Sequence, residues 1–254
     1  MLETYIRERL QNRRLLLMTH IIIGYPSLDA SLKIVDAMVE AGVDLMELQI
    51  PFSEPIADGP VILRANQHAL ANHTTVDDCL AFAHKVTARH HIPFVFMSYY
   101  NIAFTRGIAR FTNEMCQANI RGAIIPDLPH EEGREYLSAM RTKNLEPIFL
   151  FSPNTTKQRL NEIASNASGF IYCIARKGVT GAETLFAFEL EEYFKRCRAA
   201  TNIPLAVGFG VRKRDDLKYL HNKVDIAVIG SETIRVLDEQ GTLGVSAFIK
   251  DLLR

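Results

Sequence analysis

The sequence predicts an α/β protein built as a single (β/α)8 TIM barrel with an extra N-terminal helix. Three features carry this prediction: eight short apolar, β-branched runs along 254 residues, helical periodicity between successive runs, and no composition break anywhere in 1–254. A chain of this length with 48% apolar residues can bury one large core, and parallel strands need helices covering them because their connections cross on the outside. An open doubly wound sheet has the same alternation. No G-x-G-x-x-G follows the first run, however, which removes the usual sign of its dinucleotide-binding form.

Taken in order, residues 1–14 are charged throughout and carry Leu2, Tyr5, Ile6 and Leu10 at helical spacing. That pattern predicts an amphipathic lid helix and not a secretion signal. The first apolar run, 15–23, is interrupted by Thr19 and His20 and is far shorter than the roughly 20 residues of a membrane span, so it reads as a buried strand. In 27–42, Leu28, Leu32, Val35 and Val39 share one helix face, with Ser27 placed to cap the start and Gly42 to end it. The later strand candidates are 45–50, 94–97, 123–125, 148–151, 170–174, 205–207 and 226–229, each followed by a helical segment.

Lys and Arg number 29 against 29 Asp and Glu, so no net field gathers polyanions and nucleic acid is not an expected partner. A cytoplasmic protein without membrane attachment is expected. Cys79, Cys116, Cys173 and Cys197 show no C-x-x-C spacing, which predicts four inert buried thiols in place of a zinc site or disulfides. The histidines form no ligand motif, and no catalytic metal is expected; His90-His91 read as a polar helix end and His20 as a hydrogen-bonded core histidine.

Chemistry in such barrels sits in the loops after the strands. Three of these loops are too long or too rich in glycine to be mere connections: 51–60 after the second run, 175–183 after the sixth, and a split pair, Gly208-Phe209-Gly210 and Gly230-Ser231, after the seventh and eighth. Glycine makes tight turns for purely structural reasons, but two such turns side by side let backbone N–H groups and a helix N-terminus approach a phosphate. Ser231 adds a hydroxyl and Gly181 a further backbone donor. Glu47 interrupts an apolar strand and Asp58 follows in the returning loop, so both can face one ligand. Burial favours the protonated carboxyl and suits a general acid/base. A structural role is the competing account, with Glu47 paired to a nearby base and Asp58 capping the next helix. No strand candidate contains a lysine, and Lys177 in its glycine-flanked loop reads as solvated or ion-paired, so Schiff-base chemistry is disfavoured.

Glu47-Leu48-Gln49-Ile50-Pro51-Phe52-Ser53-Glu54-Pro55-Ile56-Ala57-Asp58-Gly59-Pro60 closely resembles the signature segment of tryptophan synthase alpha subunits. Tyr172, the segment from Arg176 to Ala182, Pro126-Asp127-Leu128-Pro129, Gly208-Phe209-Gly210 and Gly230-Ser231 follow in the family's order, so the resemblance spans nearly the whole chain. It implies reverse-aldol cleavage of indole-3-glycerol phosphate to indole and glyceraldehyde 3-phosphate, and allosteric activation of a beta subunit. Glu47 would be the general acid/base and Asp58 the holder of the indole N–H. Tyr172 would position the glycerol chain, and the 178–181 loop would close with Thr180 approaching Asp58. Gly181, Phe209, Gly210, Gly230 and Ser231 would line the phosphate. Pro51, Glu54, Pro55, Asp127 and Pro129 would meet the beta subunit in an alpha2beta2 heterotetramer. Pyridoxal phosphate would belong to that partner, leaving this chain without a cofactor.

The chain departs from the family's pattern in several places. Gln49 stands where glycine is usual, on the face of Glu47 and one step nearer the mouth, where its amide competes with substrate for space and can hydrogen-bond ionised Glu47. Tyr25, Glu54, Ile102 and His20 are further differences, the last at a position usually apolar. These departures define an alternative: an alpha subunit with weak or lost lyase activity that acts mainly as an activator. Another phosphate-binding barrel, such as a sugar-phosphate isomerase, would account for the glycine turns but not for 47–60. The activator alternative expects Gln49→Gly to release far more glyceraldehyde 3-phosphate than the unsubstituted chain with activation unchanged; equal release by both proteins rejects it.

Overall fold

The computed structural model describes residues 1–175, 183–208 and 210–254, with 183–188 described in backbone only. The elements run α1 (Leu2–Leu10), β1 (Leu16–Ile22), α2 (Leu28–Glu40), β2 (Leu45–Gln49), α3 (Pro60–Ala71), α4 (Val76–Arg89), β3 (Phe94–Met97), α5 (Tyr100–Arg106), α6 (Ile108–Gln117) and β4 (Gly122–Ile124). They continue α7 (Arg134–Thr142), β5 (Glu146–Ile148), β6 (Leu150–Phe151), α8 (Lys157–Asn166), β7 (Ile171–Ile174), α9 (Glu183–Ala200), β8 (Leu205–Gly208), α10 (Arg214–Leu220), β9 (Ile226–Ile229) and α11 (Ser231–Leu253).

The strands form one parallel sheet in the order β5-β4-β3-β2-β1-β9-β8-β7-β6. β5 pairs with β4 and β6 pairs with β7. Because only Phe149 separates β5 from β6, they are two halves of one strand, and the ends of the sheet meet there to close the predicted eight-stranded barrel. The apolar run at 148–151 marked only the latter part of this strand, since Glu146 and Pro147 break the pattern ahead of it. Two helices follow β2 and two follow β3, where a simple alternation supplies one each.

Alternation along the strands sorts side chains into two cores. Leu16 and Met18 of β1, Leu45 of β2, Val95 and Met97 of β3, and Ile226 and Val228 of β9 pack together inside the barrel. Leu17, Met46, Leu48, Phe94, Phe96, Ala227 and Ile229 face outward beneath the helices. α2 begins as expected, with the Ser27 side chain accepting from the Ala30 N–H, and Gly42 at φ 103° turns the chain towards β2.

α1 covers the N-terminal end of the barrel, opposite the loops that follow the strands. Leu2 and Ile6 are buried in the inner core beside Leu16, Leu45 and Phe170, and Tyr5 and Leu10 pack at its edge. Asp44, fully buried, ties this end together. Its carboxylate accepts from Arg9 (2.8 Å), Arg13 (3.0 Å) and the Leu17 N–H (3.0 Å). The expectation of four buried thiols is corrected at one position. Cys79, Cys173 and Cys197 are buried, whereas Cys116 is exposed, because α6 turns Phe111, Thr112 and Met115 inward and residue 116 lies off that face.

Asp44→Ala strips three charge-assisted hydrogen bonds and leaves the Leu17 amide unsatisfied, so it is expected to lower the unfolding free energy by about 3 kcal/mol. Urea denaturation of the full chain measures this, and a loss below about 0.5 kcal/mol, the scale of an ordinary surface substitution, would show that the network is dispensable.

Candidate active site at the barrel mouth

β2 places Leu45, Glu47 and Gln49 on its interior face, and β1 places Met18 and His20 there, with His20 directly opposite Glu47 in the strand register. Glu47 thus points into the barrel, near its C-terminal mouth, and is 3% exposed. Its Oε1 lies 3.1 Å from His20 Nδ1, while its Oε2 has no hydrogen-bond partner among the described residues. The competing account of this carboxylate therefore describes a real contact: Glu47 does have a nearby base. That base, however, lies in the mouth and not in a structural layer beneath it.

Asp58 reaches the same space from the loop ahead of α3. It accepts from Gln49 Nε2 at 2.7 Å and from the Tyr99 hydroxyl at 3.3 Å. It does not cap α3, whose N-cap is Gly59 without any side-chain capping bond. The amide of Gln49 is thus directed to Asp58 and not to Glu47, because the returning loop brings the second carboxylate within reach. The loop is pinned at several points. Tyr99 accepts from the Ala57 N–H (3.1 Å) and stacks on Phe52 (5.0 Å between ring centres), and buried Asn66 accepts from the Phe52 N–H (3.0 Å).

Burial raises the pKa of Asp58, and Glu47 adds to the rise, against the opposing pull of His20, Gln49 and Tyr99. For His20 burial is the largest influence and opposes protonation, yet Glu47, Asp58 and Gln49 together outweigh it and hold the ring above the ordinary histidine value. Burial, with Glu47 and Asp58 nearby, keeps the Tyr172 hydroxyl well above its usual range.

Two of the glycine turns belong to adjacent strands, since Gly208 of β8 pairs in register with Val228 of β9. Gly210 adopts φ 73°, a left-handed conformation suited to glycine. A Cβ on Gly208 would lie 2.8 Å from the Tyr172 hydroxyl, so glycine there makes room for that side chain. Gly230 is the N-cap of α11 and Ser231 its first residue, whereas the helix after β8 begins only at Arg214. Gly230 borders His20, for a Cβ there would sit 3.5 Å from that of His20. Thr180, Gly181 and Phe209, together with the rest of 176–182, lie outside the described residues.

Around the mouth, Glu54 and Pro129 are exposed, while Pro51 and Pro55 are buried within the chain. Asp127 is engaged internally, its carboxylate accepting from the Tyr100 N–H at 2.9 Å. Among the described residues no group of three or more His, Cys, Asp and Glu is placed to hold a metal ion, and no helix is long and apolar enough to cross a membrane. Tyr99 and Asn66 were not singled out from the sequence. Strand alternation two residues beyond Met97 is a signal for the first; Asn66 acts across an irregular loop and gives none. Exposed Ile56 (80%) and Phe104 (65%) were likewise missed.

With this geometry established, comparison with known proteins gives a family. The model for the tryptophan synthase alpha chain matches residues 6–250. The chain belongs to the tryptophan synthase alpha chain family. It is 58% identical to the tryptophan synthase alpha chain of Desulforapulum autotrophicum over 99% of this chain and 100% of that protein. Identity is 57% to the alpha chain of Syntrophotalea carbinolica, with the same coverage. Among solved structures, tryptophan synthase from Mycobacterium tuberculosis superposes with a TM-score of 0.91 at 32% identity, covering 99% of this chain and 96% of that one. The tryptophan synthase complex from Pyrococcus furiosus gives 0.86 at 26% identity, covering 93% and 97%.

The raised pKa of Asp58 has a consequence for stability. A carboxyl whose folded pKa exceeds its unfolded value, near 3.9, penalises the folded state once pH rises above that value. Asp58→Asn is therefore expected to raise the urea midpoint at pH 7, with the advantage narrowing as pH falls towards 4. A lower midpoint at pH 7 would contradict the assigned direction.

Proposed function

We propose that this chain acts as one domain that cleaves indole-3-glycerol phosphate to indole and glyceraldehyde 3-phosphate, with Glu47 and Asp58 as its catalytic pair. The single observation that carries this reading is Oε2 of Glu47, buried at the barrel mouth beside a second carboxylate and without a hydrogen-bond partner among the described residues. Protonated Glu47 delivers its proton to indole C3, and Asp58 stabilises the positive charge on the ring through the indole N–H. Glu47, now ionised, takes the proton from the glycerol hydroxyl next to the scissile bond. The O–H electron pair becomes the new carbonyl, the carbon–carbon bond breaks, and its electrons return to the indole ring. Glu47 ends the cycle protonated, as it began. No cofactor of this chain enters any step.

Tyr172 positions the glycerol arm, and the backbone amides around Gly181, Phe209, Gly210, Gly230 and Ser231 receive the phosphate. Thr180 is assigned to the same substrate-binding set. Loops at Pro51, Glu54, Pro55, Asp127 and Pro129 meet the beta subunit, which carries the pyridoxal phosphate, in a cytoplasmic alpha2beta2 assembly. The exposed Ile56 and Phe104, in elements that follow strands 2 and 3 on the mouth side, support docking there. The matching Pyrococcus furiosus structure is itself described as a tryptophan synthase complex. Nothing in the site favours the alternative of an activator that has lost its chemistry: Gln49 donates to Asp58 and leaves Oε2 of Glu47 open.

Glu47→Gln keeps the size of the side chain but removes the exchangeable proton. It is expected to lower kcat for glyceraldehyde 3-phosphate release about 10²- to 10⁴-fold with a much smaller change in KM. Turnover within a few-fold of the unsubstituted chain would reject Glu47 as the acid/base.

A further inference from the structure

The assigned reaction leaves one buried titratable group at the mouth unused. His20 is 4% exposed, its Nδ1 lies 3.1 Å from Glu47 Oε1, and among the described residues its Nε2 has no hydrogen-bond partner. A histidine serving only to neutralise a buried carboxylate would be expected to satisfy both ring nitrogens, because a buried orphan polar atom is costly. Here the contact with Glu47 is made between one atom of each side chain, Gln49 lies close enough to support the ring proton, and among the described residues Nε2 and Oε2 have no geometric hydrogen-bond partner.

The groups facing the ring are few. Among the described residues, Glu47 and Gln49 approach from β2 and Asp58 from the loop ahead of α3, while Gly230 borders it from the turn into α11. The charged groups among these are carboxylates, which support a proton on the ring despite its burial. Glu47 must alternate between protonated and ionised forms within one turnover. An Nδ1–H donor serves both forms, since Oε1 accepts equally as a carboxylate oxygen or as the carbonyl oxygen of a carboxylic acid whose proton is on Oε2.

We propose that His20 is a positioning residue of the lyase reaction: through Nδ1 it holds Oε1 of Glu47 throughout the cycle, so that Oε2 is the oxygen that exchanges protons with the substrate. This inference rests on the assignment of Glu47 as the acid/base. It gives His20 a role that a purely apolar residue at position 20 cannot fill.

The test compares His20→Asn and His20→Phe in the full-length chain, reading kcat and KM for glyceraldehyde 3-phosphate release from indole-3-glycerol phosphate across pH. The Asn side chain offers an N–H close to the position of Nδ1; Phe offers none. His20→Phe is expected to lose at least tenfold in kcat with less than a threefold change in KM. His20→Asn should keep kcat within about threefold at its optimum while losing one ionisation from the kcat–pH profile. Loss in both variants, loss in neither, or an unchanged profile for His20→Asn would each overturn the proposal. Thermal melts check folding, and if His20→Phe does not fold, the asparagine profile decides alone. Glu47→Gln run in parallel separates the two ideas. Retained turnover there removes the assignment of Glu47 itself, whereas an inactive Glu47→Gln beside a His20→Phe of normal kcat removes only the role of His20.

Discussion

Placing a carboxylate on the interior face of an apolar strand constrains everything else at this barrel mouth. An unpaired buried charge costs several kcal/mol, so Glu47 demands a partner, and the register of β1 against β2 supplies His20 directly opposite. The second carboxylate, Asp58, is held in the same space by Gln49 and Tyr99, and Tyr99 in turn pins the 51–59 loop through Ala57 and Phe52. Each polar group is present because another requires it.

The two ends of the barrel show what distinguishes structural from functional polarity. At the N-terminal end, Asp44 is buried and saturated by two arginines and a backbone amide, which leaves it no capacity for a ligand. At the mouth, His20 Nε2, Glu47 Oε2 and Gln49 Oε1 are buried together and lack hydrogen-bond partners among the described residues. Native proteins rarely tolerate such orphans, and their clustering in one space is the physical signature of a site shaped for a polar ligand. Tight packing surrounds it: the inner core of Leu16, Met18, Leu45, Val95 and Ile226 fills the barrel below and gives the carboxylates a rigid, apolar floor.

Two further polar residues of the mouth fit into this network. His20 and Gln49, read from the sequence as departures from the pattern it resembles, each engage one carboxylate, His20 with Glu47 and Gln49 with Asp58. Both occupy interior positions of neighbouring strands. The amide of Gln49 was expected beside Glu47, its neighbour on the same face. It turns to Asp58 instead, because the loop folds back over the mouth and offers a nearer acceptor.

The amino-acid sequence by itself determined the barrel, the amphipathic N-terminal helix and the two carboxylates, because these depend on periodicity and local residue chemistry. Alternation puts residues 45, 47 and 49 on one face whatever the rest of the chain does. Glycine turns and helix caps are equally local, as Ser27 and Gly42 show. Tertiary structure alone decided which polar atoms meet: His20 with Glu47, Gln49 with Asp58, Tyr99 and Asn66 with the returning loop. It also decided the split of the fifth strand at Phe149 and the exposure of Cys116. Those outcomes follow from strand register, loop path and helix rotation, which are fixed when the whole sheet closes and not by any short stretch of chain.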